Sequence, residues 1–556
     1  MRGAWEAWSR YARSIEGKTA VRAQGDKLWP RVCRPWQELG SGSHKGEEGE
    51  QEGGKGEPHG RAKDLTLRAR IYRKELLRCY APFTEQAFRP YAMQRTSSLP
   101  GAGRLLFKFS AISIFAVASS VALAFEGVHQ YVEHVQLTPE SDPDIRKWGW
   151  NSLAESWTGD PRRGGTDPAL GIRGRHIVRA AWMASNWGVG HNTAVLNSNA
   201  NPTTGLPGPG GSRVVDAALQ NTDHFLRSAI RIAEEKAASG TLSPSTLNDL
   251  ILHHASVLER LGGSSRAICK SEYERAWAIS PDPHVAWKLG DLNSRLGQTD
   301  DALAWWTRAI LLVCDKKSDG REPISAMPST APSSPQAQRT LASTLVSVSA
   351  FYATSGQFKK AQQVEECALN LIRSIPPPAS LATASPAQAL HALFLLHRSS
   401  LLSIHLAEVL HAQKQPSMTS IQWLTSAAES SERIAYALTG LPLDGFQRRD
   451  SVPQSQDRPL LNTYMSSRSM NRVASNLLRD ASRTAAEAWH LIGVLHEASD
   501  GPTSGKALMC YERAVEWAGK TLPQSDAKVA GDGTLEAEWN TMWKNYNRLR
   551  QQASRD

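Results

Sequence analysis

The 556-residue sequence lacks the cysteine patterns that would staple a small fold or bind zinc. Its six cysteines stand far apart, with no CxxC pair and no histidine at the spacing of a zinc ligand. A disulfide framework or a zinc module therefore does not explain the fold. Three cysteines lie in segments with helical periodicity, where we expect small buried apolar residues: Cys269, Cys367 and Cys510.

Catalytic and nucleotide-binding motifs are also missing. The GPTSGKA segment around Lys506 has three residues between its glycines and an alanine after the lysine, whereas a Walker A loop has four and a serine or threonine. The adjacent residues His253 and His254 point to different faces of a predicted helix, so they cannot chelate one metal ion together. We therefore expect a protein that is not an enzyme, with no cofactor, metal ion or small-molecule substrate.

Long apolar runs are scarce, and one stands out. Seventeen uncharged residues, FSAISIFAVASSVALAF, lie between Lys108 and Glu126 and predict a transmembrane helix over residues 104–126. A buried helix of a soluble domain is the alternative interpretation. Small residues recur every four positions and would either contact a second transmembrane helix or face lipid: Ala116, Ser120 and Ala124.

Charge is distributed unevenly around this run. Residues 61–108 contain eleven Lys or Arg against three acids, whereas residues 126–144 contain five acids and no Lys or Arg. By the positive-inside rule, the N-terminus stays in the cytosol or matrix and the C-terminal part crosses the membrane. This topology explains the net charge of +10 better than nucleic-acid binding does, so we expect no nucleic-acid partner.

The regions on either side of the span differ in composition. Residues 1–100 are basic and mostly without apolar periodicity, which predicts a largely disordered region. Its aromatic residues Trp5, Trp8 and Tyr11 weakly resemble a mitochondrial presequence, and a start of translation at Met93 is an open alternative. Residues 137–212 are rich in Trp, Gly and Arg and predict a juxtamembrane collar and linker, whose tryptophans and arginines either pack in a small fold or contact lipid headgroups.

Paired amphipathic segments begin near residue 214 and extend to about 520. The stretch HVAWKLGDLNSRLGQTDDALAWWTRAI, residues 284–310, has small and aromatic residues at spacings that let two helices cross closely, and similar spacings recur twice. The scaffold residues of the first copy and its predecessor are Tyr273, Ala276, Pro281, Trp287, Gly290, Ala302, Trp306 and Ala309. Those of the second copy are Leu345, Tyr352, Gly356, Ala361 and Ala368, and those of the third are Trp489, Gly493, Ala507, Tyr511 and Ala514.

These spacings resemble the tetratricopeptide repeat, although the interval from Tyr273 to Trp306 is 33 residues where that family has 34. We expect an all-α protein in which a transmembrane helix precedes an irregular solenoid with Ser/Pro-rich insertions. Residues 521–556 predict a tail with a capping helix. Members that hold chaperone tails use Lys and Asn in the first helix, but here the equivalent positions include a different set of possible groove residues: Asp291, Val346, Ala350, His490 and Val494.

The order of a basic N-terminus, one span, a Trp-rich collar and degenerate repeats is similar to the fungal tetratricopeptide adaptor subunits of the mitochondrial inner-membrane i-AAA protease complex. The resemblance covers roughly residues 100–520. It implies a single-pass inner-membrane protein whose repeats face the intermembrane space, bind unfolded or misassembled membrane proteins and present them to the protease. The alternative is a structural scaffold, assembly factor or import receptor in a mitochondrial or endoplasmic-reticulum membrane.

Overall fold

The computed structural model shows how the apolar periodicity becomes sixteen α-helices in the part of the chain that it describes. The described residues are 101–151, 157, 164–188, 195–197, 213–215, 217–262, 265–314, 323–381, 383–440, 460–501, 504–518 and 533–553. The predicted disorder and targeting signal of residues 1–100, most of the linker and the start of the tail lie outside them.

The first helices occupy the predicted span and collar. They are α1 (Gly101–Tyr131, continued by a π-helical turn, Val132–Gln136), α2 (Pro143–Lys147), a 3-10 turn (Pro168–Leu170) and α3 (Gly171–Trp187). Two three-residue strands, Val195–Asn197 and Arg213–Val215, then pair antiparallel, with Leu196 opposite Val214. Apart from this short ladder, the described chain is helical, which confirms the predicted all-α class.

Most of the remaining helices form consecutive pairs. They are α4 (Ala217–Ala238), α5 (Pro244–Leu261), α6 (Arg266–Ile279), α7 (Pro283–Arg295), α8 (Thr299–Val313), α9 (Pro335–Thr354), α10 (Phe358–Ser374), α11 (Pro386–Ala412), α12 (Ser417–Thr439), α13 (Asn462–Met465), α14 (Arg468–Asp500), α15 (Gly505–Trp517) and α16 (Gly533–Ala553). Each of α5, α7, α9, α11 and α14 packs against a later helix of its own pair, and α7, α9, α11 and α14 also contact one another in succession.

Local sequence signals set many of these helix starts. Ser243, Asp282, Ser385 and Ser467 each accept a backbone N–H bond in the first turn of the helix that follows. Proline occupies the first position of α5, α7, α9 and α11, where it has no intrahelical hydrogen bond to lose. The Ser/Pro-rich insertions predicted between repeat units fall between α8 and α9 and between α10 and α11.

Two helices are long and apolar enough to cross a membrane, by length and composition, among the described residues. The first is the stretch Phe107–Gln136, whose most apolar window is 0% buried. The second is α11, in which 78% of the most apolar window is buried, so this helix forms part of the core. One exposed apolar helix thus remains, and it is compatible with a single membrane anchor. Residues 101–127 and residues 128–553 belong to two separate compact units.

Candidate functional site

Close contacts between paired helices occur where the sequence places glycine. A Cβ atom added to Gly290 on α7 would lie 2.4 Å from Cδ1 of Trp306 on α8, and one added to Gly493 would lie 2.7 Å from Cε1 of Tyr511. Both aromatic side chains are buried, and the Nε1–H of Trp306 donates to Asp291 over 3.1 Å. Glycine therefore permits the two helices of each pair to cross at a distance that alanine would prevent.

The other predicted scaffold residues occupy the interior or the turns. Most are fully or nearly fully buried: Tyr273, Ala276, Ala302, Ala309, Leu345, Tyr352, Ala361, Ala368, Ala507 and Ala514. Pro281 follows the end of α6, and Gly356 has a φ of +74° in the turn between α9 and α10. Trp287 is half-buried and donates through Nε1 to Ser347 on the next unit, while half-buried Trp489 packs against the core.

In the pair of α9 and α10, polar side chains replace the glycine and aromatic residue. Ser349 donates to Glu365 Oε1 over 2.7 Å, and the Ser349 hydroxyl also lies 3.1 Å from His405 Nδ1. Both the acid and the imidazole thus contact the hydroxyl, whereas in a nucleophilic triad the acid orients the histidine. All three side chains are buried, and burial raises the pKa of Glu365 to about 8. This arrangement packs the helices and offers no access for a substrate.

The predicted groove residues are not equally open. Asp291, Val346 and Ala350 are half-buried on α7 and α9, and burial raises the pKa of Asp291 despite hydrogen bonds from Ser347 and Trp306. His490 is buried, with its Nε2 3.0 Å from Asn545 Nδ2 on α16, and Val494 packs against the cluster containing Tyr511 and Leu549. The C-terminal helix therefore covers His490 of the third copy, whereas Val494 is half-buried, as the positions on α7 and α9 are.

A single buried carboxylate on α12 joins this helix to two later ones, α14 and α15. Glu432 on α12 is fully buried and accepts hydrogen bonds from Trp489 Nε1, Arg513 Nε and Trp517 Nε1, each over 2.7 Å. A further bond from Arg513 Nη2 reaches its second oxygen over 2.5 Å. Burying a charge is costly unless it is paired and hydrogen-bonded, and here both oxygens are satisfied. This residue fixes α12 against α14 and α15.

The end of α1 is joined to the collar by another buried acid. Glu133 accepts bonds from the backbone N–H and the hydroxyl of Thr166 and from Arg175 Nη2, and Arg179 Nε lies 3.2 Å away. Of the collar tryptophans, Trp150 and Trp157 are buried and Trp148 is half-buried. Arg175 and Arg179 thus contact Glu133 within a small folded collar. These contacts agree with the packing interpretation of the two arginines.

Two arginines attach residues 132–150, which we call the juxtamembrane segment, to the helical array. Arg339 on α9 donates to the carbonyl oxygens of Trp148 and Gly149 over 2.9 and 2.8 Å, and its guanidinium carbon lies 3.8 Å from the Trp150 ring centroid. Arg468 on α14 donates to the Val135 and Gln136 carbonyls and to Thr138. The juxtamembrane segment is therefore held by two arginines that are distant from it in sequence.

Cysteine and histidine behave mostly as packing residues in the described chain. Cys269 and Cys510 are buried, but Cys367 is exposed on α10, so the expectation of burial is wrong for that residue. His253 stacks on Trp157 at 4.0 Å between ring centroids, whereas His254 Nε2 contacts Asp223 Oδ1 at 2.8 Å. No group of three His, Cys, Asp or Glu side chains within the described ranges is arranged to hold a metal ion.

Sequence reasoning missed the residues that join distant segments: Glu133, Arg339, Glu432 and Arg468. None belongs to a repeat position, and each finds its partners through the tertiary fold. The density of tryptophan in the collar was the one available signal, since buried indoles need hydrogen-bond acceptors, as Trp150 Nε1 finds in the Ala387 carbonyl at 2.9 Å.

No protein-family model matches the sequence, and no curated protein matches it.

Proposed function

We propose that this chain is a single-pass membrane protein whose tetratricopeptide-like repeats bind other proteins. The observation that carries the proposal is an exposed apolar helix followed by an array of packed helix pairs. Water-exposed apolar surface of this length is unfavourable unless lipid or protein covers it. Repeated helix pairs generate an extended surface that other solenoids use for binding polypeptides.

Support for the repeat assignment comes from the contacts within pairs. Gly290 against Trp306 and Gly493 against Tyr511 have the small-against-aromatic arrangement expected from the spacing. The half-buried residues Asp291, Val346, Ala350 and Val494 mark the part of the proposed groove that is not fully buried. The lack of a Lys and Asn clamp favours apolar or extended segments over acidic chaperone tails as ligands.

The narrower proposal is an adaptor that captures unfolded or misassembled membrane proteins for the mitochondrial i-AAA protease. It rests on the resemblance in architecture and on the asymmetric charge around the span. In it, the N-terminus lies in the matrix and the repeats in the intermembrane space. A scaffold, assembly factor or import receptor, in this membrane or in the endoplasmic reticulum, is the second candidate, favoured by the extensively packed array.

Protease protection tests the location. A C-terminal epitope should resist protease in intact mitochondria and become sensitive once the outer membrane is ruptured, while the protein stays in the carbonate-resistant pellet. Digestion of the repeats in intact organelles would contradict the intermembrane-space location. Extraction by carbonate would contradict the anchor itself.

Partner capture separates an adaptor from a scaffold. The AAA protease should co-purify with the full chain in mild detergent, and unfolded reporter proteins in the inner membrane should persist longer when the chain is removed. Normal reporter turnover together with no protease in the purified complex would contradict the adaptor and favour the scaffold.

A further inference from the structure

Exposed apolar side chains gather where α1 ends and on α3. Five of them form what we call the interfacial patch, with exposed fractions from 44% to 78%: Val128, Tyr131, Val135, Ile172 and Trp187. Single exposed apolar residues are common on proteins, but a group of this size usually contacts something. Val128, Tyr131 and Val135 follow one another at intervals of three and four residues, so they lie on one face of the helix.

Contacts between the two helices hold the patch together. The ring centroids of Tyr131 and Trp187 are 6.3 Å apart, and those of His129 and His176 are 4.6 Å apart. On α3, Ile172 and His176 are separated by one turn, and Trp187 follows on nearly the same side. The bonds from Arg175 and Arg179 to Glu133 fix α3 against this end of α1.

Helix length places the patch at the edge of a bilayer, provided that the proposed anchor spans it. The apolar stretch Phe107–Gln136 has 30 residues, about 45 Å at 1.5 Å per residue. The hydrocarbon core requires only about 20 of them. The last third of the stretch, which contains Val128, Tyr131 and Val135, therefore extends into the headgroup region, where Tyr and Trp are enriched.

We propose that the interfacial patch inserts into the headgroup and upper acyl region of the membrane that α1 crosses. Its occupant is phospholipid, because the patch continues along the anchoring helix and combines aromatic and aliphatic side chains, as interfacial segments do. Exposed Arg173, next to Ile172, is suited to a lipid phosphate. Since α3 is bonded to Glu133 and packs on α4, this contact restrains the first helices of the array at the membrane surface.

The proposal rests on the membrane anchor, so the experiment tests both separately. Full-length protein carrying one p-benzoyl-phenylalanine in place of Ile172 or Trp187 is reconstituted into phosphatidylcholine vesicles and irradiated. Phe115 in the span, 74% exposed, is the positive control, and Met418 on α12, 60% exposed, is the matched apolar control. Lipid adducts are measured by mass spectrometry of the purified chain.

We expect lipid adducts at position 115. Positions 172 and 187 should give roughly tenfold more adduct than position 418, because a side chain inserted in the interface is surrounded by lipid. If position 115 forms adducts but positions 172 and 187 form no more adduct than position 418, the interfacial contact is overturned and the anchor is kept. Absence of adducts at 115 would overturn the anchor. Crosslinks from 172 and 187 to a second polypeptide in place of lipid would assign the patch to a protein interface and also overturn the proposal.

Discussion

Gly290 shows how one missing side chain decides the geometry of a helix pair. Substitution Gly290→Ala gains roughly 1 kcal/mol of helix propensity. The new methyl group meets the Trp306 ring at 2.4 Å, and that ring is buried and bonded to Asp291. Because overpacking typically costs about 1 to 3 kcal/mol and the ring cannot move freely, we expect a lower free energy of unfolding, measured by thermal denaturation in detergent.

The control is Gly505→Ala at the start of α15, where an added Cβ meets no atom within 4 Å. This change should be neutral or slightly stabilising. Equal effects of the two substitutions would mean that the close approach of α7 and α8 does not govern stability here.

Glu365 makes stability depend on pH. Its pKa is about 8 in the fold against an ordinary value of 4.5, mainly because burial disfavours the charged form. An acid with a raised pKa holds its proton more tightly when folded, so stability falls as pH rises between about 5 and 8. Glu365→Gln should therefore be more stable than the unmodified protein at pH 8, by on the order of a few kcal/mol.

The difference should shrink towards pH 5, where a protonated carboxyl and an amide are alike in charge. Thermal midpoints in detergent across this range provide the measurement, with Glu235→Gln on exposed α4 surface as control. Parallel pH curves for the unmodified protein and Glu365→Gln would contradict a neutral buried carboxyl, which accepts a hydrogen bond from Ser349.

At the scale of elements, α12, α14 and α15 depend on Glu432. Replacing it with Gln keeps the volume but leaves the three donor side chains facing an amide group. Removing one partner of a buried ion pair typically costs about 3 to 5 kcal/mol, and we expect a loss of this order in urea denaturation. Glu429→Gln, on the exposed face of the same helix, should cost far less.

A double substitution adds a second check on this cluster. If Arg513→Met and Glu432→Gln act through one interaction, their combined effect should be smaller than the sum of the two. Additive losses would mean that Glu432 and Arg513 stabilise the fold independently.

The elements were more predictable than the contacts between them. The helical spacing of apolar residues over 389–413 and 419–438 predicts a helix pair, and the observed α11 and α12 agree with these ranges to within about three residues. The repeat spacing of the third copy begins at Trp489, whereas α14 begins at Arg468. Its earlier half buries Met470, Ala474, Leu477 and Ala481 at helical spacing, yet it lacks the glycine and aromatic residues that mark a repeat.

The hydrogen bonds that join distant segments could not be predicted, because no sequence pattern identifies the partner groups. Arg339 binds carbonyl groups 191 and 190 residues away, and Arg468 binds others more than 300 residues away. Carbonyl groups are present at every residue, so they provide no sequence signal. The collar's tryptophans predicted either packing or lipid contact, and only the fold shows that Trp150 packs under Arg339.

At the scale of the molecule, the hydrogen bonds of Arg339 and Arg468 determine how firmly the juxtamembrane segment is attached to the array. Substitution Arg339→Gln removes the bonds to Trp148 and Gly149, and Arg468→Gln removes those to Val135 and Gln136. A hydrogen bond to a charged group contributes about 1.5 to 3 kcal/mol, so each change should speed amide exchange within residues 132–150 roughly tenfold or more. Hydrogen-exchange mass spectrometry of the full chain in detergent measures this.

The comparison variant is Arg479→Gln on α14, whose side chain is 67% exposed and contacts only neighbouring Asp480 among the recorded ion pairs of the described chain. It should leave exchange in the segment unchanged. If Arg339→Gln accelerates exchange in α9 alone, the segment is held by its apolar contacts, chiefly Ile145 and Trp150 in the core formed with α11 and α14. If the double variant accelerates exchange throughout residues 132–150 while α7 and α8 stay protected, the two arginines are what hold the juxtamembrane segment to an independently stable array.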